Sequence, residues 1–138
     1  MHGSCACRDG QAVLFLGPPG AGKSDLVLRL LGRGFDLVAD DQVEISDGIV
    51  SAPTTLAGLL EVRGLGIVRL PHVASARLAL IADLGAWADR LPLPERHVAL
   101  DVPLIRLDPA AASAPDRVIL ALDCALGRVS QIAGAFAP

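Results

Sequence analysis

The stretch Ala12-Val-Leu-Phe-Leu16, followed directly by Gly17-Pro-Pro-Gly-Ala-Gly-Lys-Ser24, decides the fold. Five apolar residues in a row, with a polar residue before them and a Gly-Pro-Pro-Gly turn after them, predict a buried strand. Helical spacing of apolar residues begins at Lys23, and Gly32 and Gly34 provide the stop. The apolar positions of this helix are Leu26, Val27, Leu30 and Leu31. The order strand, glycine-rich loop, helix predicts an α/β protein.

The glycine-rich segment matches G-x-x-x-x-G-K-[ST], the phosphate-binding P-loop, in the strand-to-helix context that the motif requires. Its glycines allow N–H groups to face phosphate oxygens, and the helix N-terminus adds partial positive charge. Lys23, the only lysine of the chain, is predicted to contact the β- and γ-phosphates of ATP, and Ser24 to ligate Mg²⁺. The predicted nucleotide-binding residues are Gly17, Pro18, Pro19, Gly20, Ala21, Gly22, Lys23 and Ser24. The alternative is a Gly-Pro turn that contains a lysine by chance.

Two acidic residues follow the next predicted strand, over residues 35–39. Asp40 and Asp41 come 17 and 18 residues after Lys23. An acid beside a P-loop holds Mg²⁺ or acts as a base. Because adjacent residues of an extended segment point in opposite directions, we expect separate roles, with Asp40 as a candidate Mg²⁺ ligand. The alternative is a solvated acidic pair in a turn.

The remaining pattern predicts a mixed sheet with hairpins. Ser46-Asp47-Gly48 indicates a turn between two strands, and Pro53 starts a predicted helix. The inner side of that helix is predicted to carry Leu56, Leu59 and Leu60. We also expect a core strand over residues 77–83, one or two strands within 97–107, a helix from Ser113 and a frayed tail over 131–138. The predicted buried face of the last helix is Val118, Leu122, Ala125 and Val129.

Length and composition limit the classes of protein. With 138 residues, 52% of them hydrophobic, the chain is expected to form one domain over residues 1–138. The formal net charge of -3 and the lack of a basic block argue against nucleic acid as a partner. No apolar run approaches the roughly 20 residues of a membrane span, and no export signal is recognisable, so we expect a cytoplasmic protein.

The cysteines allow two interpretations. In the cytoplasm Cys5, Cys7 and Cys124 are expected to stay reduced thiols. Cys5, Cys7 and His2 could alternatively form part of a metal site, but a C-x-C pair lacks the usual zinc spacing and no fourth ligand follows. We therefore favour three ordinary thiols.

Two further stretches carry a resemblance to a known family. Leu37-Val-Ala-Asp-Asp41 with Val43-Glu44-Ile45, and Leu60-Glu-Val-Arg-Gly-Leu-Gly-Ile67, resemble the signature stretches of the catalytic domain of HPr kinase/phosphorylase. The resemblance implies a fold similar to that of phosphoenolpyruvate carboxykinase. It also implies a kinase that uses ATP to phosphorylate a serine of HPr, the phosphocarrier of the bacterial sugar phosphotransferase system. Members also remove that phosphate with inorganic phosphate.

The resemblance also implies roles for individual residues. Lys23 and Ser24 match the phosphate-loop lysine and Mg²⁺ ligand, and Glu61 matches the second Mg²⁺ ligand. Asp41 matches the aspartate that takes the proton from the substrate serine. His2 matches an active-site histidine of the family. Arg90 matches an active-site arginine, which would stabilise charge on the transferring phosphoryl group. Three simpler readings are a frayed His2, an ordinary surface pair of Glu61 with Arg63, and a solvated Arg90.

Some features of the family are missing from this sequence. The basic P-x-R-P-G-R stretch tied to phosphorylase activity is not found, and Pro103-Leu-Ile-Arg-Leu-Asp-Pro109 is the nearest segment. The resemblance therefore supports the kinase reaction more than the phosphorylase reaction. It also implies a short form without the N-terminal domain, and a homo-oligomer, by default a hexamer. Two alternatives remain, a small-metabolite P-loop kinase and a non-catalytic ATP-binding regulator of a phosphorelay or transport system.

Overall fold

Nine strands and two helices build the mixed α/β fold of residues 1–138, all of which the computed structural model describes. The strands are β1 (Ser4–Arg8), β2 (Gln11–Leu16), β3 (Asp36–Ala39), β4 (Glu44–Ser46), β5 (Ile49–Ser51), β6 (Leu59–Val62), β7 (Gly66–Arg69), β8 (Ala76–Asp83) and β9 (Leu104–Arg106). The helices are α1 (Lys23–Leu31) and α2 (Ala114–Ala125). No helix combines the length and apolar character needed to cross a bilayer.

A seven-stranded mixed sheet forms the centre, in the order β3-β1-β2-β8-β5-β4, with β9 also beside β8. Strand β1 runs antiparallel to β2 and β3, whereas β2, β8 and β9 are parallel. The register places Leu16 beside Asp83, and Asp83 beside Arg106. The carboxyl ends of the three parallel strands therefore share one edge, and the segments after them lie side by side there.

Apolar side chains cover both faces of the sheet. On one face, Phe15 packs with Leu26 and Leu30 of α1 and with Val118 and Leu122 of α2, and all five are fully buried. Burying each such side chain stabilises the fold by about 1.5–3 kcal/mol. The opposite face holds a second core of buried residues. This core includes Cys5, Cys7, Leu14, Val38, Val43, Val50 and Ile81.

The strand, loop and helix predicted from residues 12–31 are confirmed by β2 and α1. The predicted hairpin is also confirmed, since β4 and β5 pair antiparallel across Asp47 and Gly48. Both turn residues have positive φ, 51° and 76°, as a tight two-residue turn requires. The core strand within 77–83 and the helix near Ser113 are confirmed by β8 and α2.

The helix predicted after Pro53 is wrong. Only Thr54–Leu56 forms a short 3-10 turn, and the chain then enters β6. Gly58 adopts φ 78°, which a helix cannot include, and its carbonyl accepts a hydrogen bond from the Leu70 N–H at 2.8 Å. Spacing of leucines alone could not reveal this pairing with β7, because the partner residues lie downstream in the sequence.

One strand was missed, and two other expectations are corrected. Strand β1 was not predicted, because its small residues give no clear pattern. Val129 lies beyond the end of α2, after Gly127 at φ 74°, and is 37% exposed. The tail is not frayed throughout, since Phe136 packs against the main core and donates its N–H to the Gln131 side-chain oxygen. The expectation of one or two strands within 97–107 is confirmed by β9.

Candidate functional site

The glycine-rich loop between β2 and α1 presents unpaired backbone donors. The N–H groups of Gly20, Gly22, Lys23 and Ser24 donate to no acceptor of the chain. Gly22 adopts φ 103° at the start of the helix, a conformation that L side chains rarely adopt. Unpaired N–H groups at a helix N-terminus form a site for an anion such as a phosphate.

Lys23 lies over the same loop. Its Nζ donates hydrogen bonds to the carbonyl oxygens of Gly17 at 2.7 Å and of Pro18 at 3.0 Å. No carboxylate lies within ion-pair distance of this ammonium group. The side chain therefore brings an uncompensated positive charge to the loop, as the sequence motif predicts.

Asp40 is a buried carboxylate at the end of β3, only 6% exposed. Its Oδ1 accepts hydrogen bonds from the Ser4 hydroxyl at 2.6 Å and from the Ser24 hydroxyl at 2.7 Å, and its Oδ2 accepts one from the Glu61 N–H at 3.1 Å. Three donors satisfy the buried charge. Asp40 thereby fixes the Ser24 hydroxyl and holds β6 beside the glycine-rich loop.

Asp41, in contrast to Asp40, is exposed. Its side chain retains 75% of its accessible surface, and its backbone adopts φ 70°. The two acids thus lie in different environments, one buried and one exposed, and Asp41 adopts a left-handed rather than an extended backbone conformation. The imidazole of His2 lies 4.0 Å from the Asp41 carboxylate, and the Gln42 amide lies 3.2 Å from the same ring.

His2 is ordered by backbone contacts rather than frayed. It forms an isolated β-bridge with Gln42, and the amino group of Met1 donates to the Val43 carbonyl oxygen at 3.1 Å. The bridge holds the start of the chain against the segment that follows β3. The imidazole itself remains exposed, so its contact with Asp41 is a surface contact.

A cleft of about 600 Å³ brings most of the predicted residues together. It is lined by Ser4, Pro19, Gly20, Gly22, Lys23, Ser24, Asp25, Leu28, Asp41, Glu61, Val62 and Arg63. Glu61 is exposed on β6 and faces this cleft across from the loop. An exposed carboxylate, an ammonium group and a hydroxyl thus surround one space that a phosphate chain could enter.

Arg90 is not brought to this cleft. It lies after β8 in a separate cavity of about 750 Å³, together with Trp87 and residues of α2. The physical reason is topological, because β8 lies on the side of β2 opposite to β1 and β3, and Asp41 follows β3. The similarity of the few residues around Arg90 to the family could not predict in which cavity the fold would place Arg90.

The donor set fits Mg²⁺ bound together with phosphates. No group of three or more His, Cys, Asp or Glu side chains is arranged to hold a metal ion by itself. Mg²⁺ is usually bound by one or two protein ligands, with waters and substrate phosphates completing the octahedron. Ser24, hydrogen-bonded to Asp40, and Glu61 across the cleft suit that kind of site.

Ser4 is a residue of the cleft that sequence reasoning missed. Its hydroxyl is completely buried and bound to Asp40. The only signal in the sequence would have been a polar residue at the start of a strand, and β1 itself was not recognised. Spacing could not reveal a contact between residues 36 positions apart.

A second polar group lies at the shared edge of the parallel strands. Arg106 contacts Asp83 at 3.1 Å and Glu95 at 2.6 Å. The hydrogen bond from the guanidinium lowers the pKa of Glu95, and the same pair raises the pKa of Arg106. Asp83 in turn accepts the Gly85 N–H at 2.8 Å, beside Gly17 of the loop.

The fold and the cleft define a mixed α/β protein whose glycine-rich loop lies at the carboxyl edge of its sheet. The family model for the HPr Serine kinase C-terminal domain matches residues 1–82, which is more than half of the chain. The chain therefore belongs to the HPr serine kinase C-terminal domain family.

Similar curated proteins are named HPr kinase/phosphorylase. An HPr kinase/phosphorylase of Geobacillus sp. (strain WCH70) is 40% identical over 125 residues, covering 78% of this chain and 40% of that protein. The HPr kinase/phosphorylase of Bacillus pumilus is 38% identical over 127 residues, with 78% and 41% covered. The chain thus spans about 40% of the length of the curated relatives it matches.

A solved structure confirms the fold. The Hpr(Ser) kinase/phosphatase from Coxiella burnetii matches with a TM-score of 0.72 and 25% sequence identity. The match covers 93% of this chain and 97% of that one. The mixed sheet and the two helices described above are therefore those of an HPr kinase fold.

Proposed function

We propose that this chain is the catalytic part of an ATP-dependent serine kinase that phosphorylates HPr. The observation that carries the proposal is the single cleft in which the unpaired loop N–H groups and Lys23 lie opposite Asp41 and Glu61. Membership of the family supports HPr as the protein substrate, since relatives with this domain are HPr kinase/phosphorylases.

In this proposal the loop binds the phosphates of ATP. The N–H groups of Gly20, Gly22, Lys23 and Ser24 and the Lys23 ammonium neutralise charge on the β- and γ-phosphates. Ser24 and Glu61 are the proposed ligands of Mg²⁺, which when bound neutralises charge on the transferring phosphoryl group. Asp40 also stays a predicted ligand, and its hydrogen bond to Ser24 places its carboxylate next to that site.

Asp41 is the proposed general base. Its exposed carboxylate would accept the proton of the substrate serine as the γ-phosphoryl group is transferred. His2, 4.0 Å away, is placed to interact with the same carboxylate and stays a predicted active-site residue. Arg90 stays a predicted catalytic residue for the family-based model, although in this chain it lines the separate cavity.

The cellular location and the oligomeric state of the enzyme are also part of the proposal. We propose a cytoplasmic enzyme, because three free cysteines suit a reducing compartment. A homo-oligomer, the hexamer that the resemblance implies, is supported by several exposed apolar side chains outside the cleft. These are Leu91, Leu93, Val98 and Ile132. Residues 1–138 are proposed to act as one catalytic domain, and the phosphorylase reaction remains less supported than the kinase reaction.

The test is transfer of labelled γ-phosphate from Mg-ATP to purified HPr by the protein and by its Asp41→Asn variant. Label on a serine of HPr that depends on Asp41 would support the proposal. ATP binding without any label on HPr would overturn it and leave a nucleotide-binding regulator. Label on a small alcohol, and none on HPr, would instead indicate a small-metabolite kinase.

A further inference from the structure

A carboxylate lies at a strand end on each side of β2. On one side Asp40 follows β3 and accepts the hydrogen bond of Ser24, the last residue of the glycine-rich loop. On the other side Asp83 is the last residue of β8, and 28% of its side chain is exposed. Asp83 does not line the cleft, so the proposed chemistry gives it no role. Its contacts nevertheless lead to the first residues of the loop.

The side chain of Asp83 fixes the turn that follows β8. Its Oδ1 atom accepts the Gly85 N–H at 2.8 Å. An aspartate that binds the backbone N–H two residues ahead stabilises a turn. Leu84, the residue between them, is buried and donates its N–H to the Leu16 carbonyl oxygen at 2.8 Å. These two hydrogen bonds hold residues 84 and 85 beside the end of β2, where the loop begins.

This turn packs against the start of the glycine-rich loop. A Cβ atom built on Gly17 would lie 3.4 Å from the Gly85 nitrogen and 3.5 Å from the Leu84 Cβ. A Cβ atom built on Gly85 would lie 3.2 Å from Cδ of Pro18. The carbonyl oxygens of Gly17 and Pro18 are the two acceptors of the Lys23 ammonium group. The turn after β8 therefore contacts the two residues that hold Lys23.

The Asp83 carboxylate is itself held by Arg106. Nη1 of Arg106 donates to Oδ2 of Asp83 at 3.1 Å. The same guanidinium donates from Nε to Oε1 of Glu95 at 3.1 Å and from Nη2 to Oε2 at 2.6 Å. A bidentate contact of this kind fixes the direction of the guanidinium group. Since each oxygen of Asp83 has its own donor, the carboxylate is held in one orientation.

We infer that Asp83 is a positioning residue for phosphate binding. Through the turn at Gly85 it holds Gly17 and Pro18 in place, and thereby directs the Lys23 ammonium group. Arg106 acts one step further away, by fixing the Asp83 carboxylate. The inference rests on the proposed function only in taking the glycine-rich loop as the phosphate site. It makes the affinity for phosphate depend on two residues that do not line the cleft.

The sign of the change in affinity distinguishes positioning from charge. Loss of a carboxylate near an anion site favours anion binding by charge alone, whereas loss of positioning weakens it. We expect Asp83→Ala to raise the Kd of Mg-bound inorganic triphosphate by about tenfold. Calorimetry measures this Kd at a temperature at which the variant is folded. An unchanged or lowered Kd would overturn the inference.

Asp123→Ala is the matched control. Asp123 forms an ion pair with Arg8, and its side chain is 23% exposed, close to the value for Asp83. Arg8 pairs with Gln11 at the start of β2, which is the end opposite to the loop. This variant should lose stability in urea to a similar extent and keep the Kd of triphosphate unchanged. A rise in Kd equal to that of Asp83→Ala would indicate a general loss of stability and reject positioning.

Asp83→Asn provides a conservative second variant. It keeps an acceptor for the Gly85 N–H and loses only the charge that pairs with Arg106. We expect it to raise the Kd of triphosphate by about threefold, less than Asp83→Ala does. If Asp83→Ala does not fold, an unchanged or lowered Kd in Asp83→Asn would still overturn the inference.

The outcome is separable from that of the transfer assay. Weaker triphosphate binding in Asp83→Ala, with no phosphate transferred to HPr by the unchanged protein, would keep the positioning role and reject the kinase. Transfer to HPr together with an unchanged Kd in Asp83→Ala would keep the kinase and reject the positioning role. Failure of the unchanged protein to bind either ATP or triphosphate would reject both.

Discussion

The hydroxyl of Ser24 donates a hydrogen bond of 2.7 Å to Oδ1 of Asp40. This contact joins the first turn of α1 to the end of β3, and the same carboxylate also binds Ser4 and the backbone of Glu61. One buried charge thus fixes the glycine-rich loop, the first strand and the hairpin that carries Glu61. Asp40 therefore links three segments that line the cleft.

Replacing Asp40 with Asn should destabilise the fold. The amide group would face two hydroxyl donors and a backbone N–H, leaving buried polar groups unpaired, and we expect the free energy of unfolding to fall by about 1–3 kcal/mol. Urea unfolding monitored by circular dichroism measures this change. Asp116→Asn is the control, because Asp116 forms only an exposed ion pair with Arg33, which should contribute less than about 1 kcal/mol. Equal effects of the two substitutions would contradict the central role of Asp40.

Substitutions of Asp41 should separate its backbone role from its side-chain role. Asn tolerates the left-handed conformation at φ 70°, whereas Ala there costs about 1–2 kcal/mol. Thermal unfolding of Asp41→Asn should therefore match the unchanged protein, and Asp41→Ala should melt lower. Both variants should bind ATP with unchanged affinity and lose transfer to HPr. Transfer at an undiminished rate by Asp41→Asn would reject its role as the base.

Lys23→Met should strongly weaken nucleotide binding and spare the fold. The Nζ contacts only the carbonyl oxygens of Gly17 and Pro18, so removing it leaves no buried charge without a partner. We expect calorimetry to show the Kd of Mg-ATP raised by about a hundredfold or more, since the loop would keep its N–H groups but lose its positive charge. The melting temperature without nucleotide should stay unchanged. A Kd close to that of the unchanged protein would show that ATP binds elsewhere.

Gly58→Ala should be far more harmful than the same change at Gly64. Both glycines have positive φ, 78° and 82°, so backbone strain is matched. A Cβ at Gly58 would lie 2.6 Å from the His72 ring and 3.1 Å from the Leu70 carbonyl oxygen. A Cβ at Gly64 would meet no atom within 4 Å beyond the adjacent residues. We expect an additional loss of about 1–3 kcal/mol in Gly58→Ala, measured by urea unfolding. Gly58 precedes β6, the strand that carries Glu61. Because Glu61 is a proposed Mg²⁺ ligand, this variant should also weaken Mg-ATP binding.

Stability should fall at alkaline pH because of Cys5. Burial raises the pKa of this thiol, with a smaller contribution from Cys7, so the folded protein keeps it protonated. The unfolded chain releases the proton above a pKa of about 8.5, and unfolding is therefore favoured as pH rises past that value. The free energy of unfolding should drop by about 1.4 kcal/mol per pH unit for this group above pH 9. Cys5→Ala should show a shallower slope, and an equal slope would contradict the assignment.

The local sequence determined the secondary-structure elements that depend only on residues close together in the chain. The apolar run before Gly17, the glycines of the loop and the spacing of Leu26 and Leu30 predicted β2, the loop and α1, because each depends on neighbours within one or two turns. The turn at Asp47 and Gly48 was predictable for the same reason, since Asp and Gly adopt positive φ more readily than most residue types. The position of Lys23 and Ser24 at the end of the glycine-rich loop likewise follows from the motif itself.

Tertiary structure alone decided which distant residues meet. The contact of Ser4 with Asp40 joins strands whose pairing no local pattern reveals. Arg90 and Asp41 line separate cavities, and the strands that precede them, β8 and β3, lie on opposite sides of β2. Leucine spacing after Pro53 fitted a helix equally well, and only hydrogen bonds to the downstream strand β7 made it β6. Local propensities differ by about 1 kcal/mol per residue or less, so strand pairing and burial across the whole chain outweigh them.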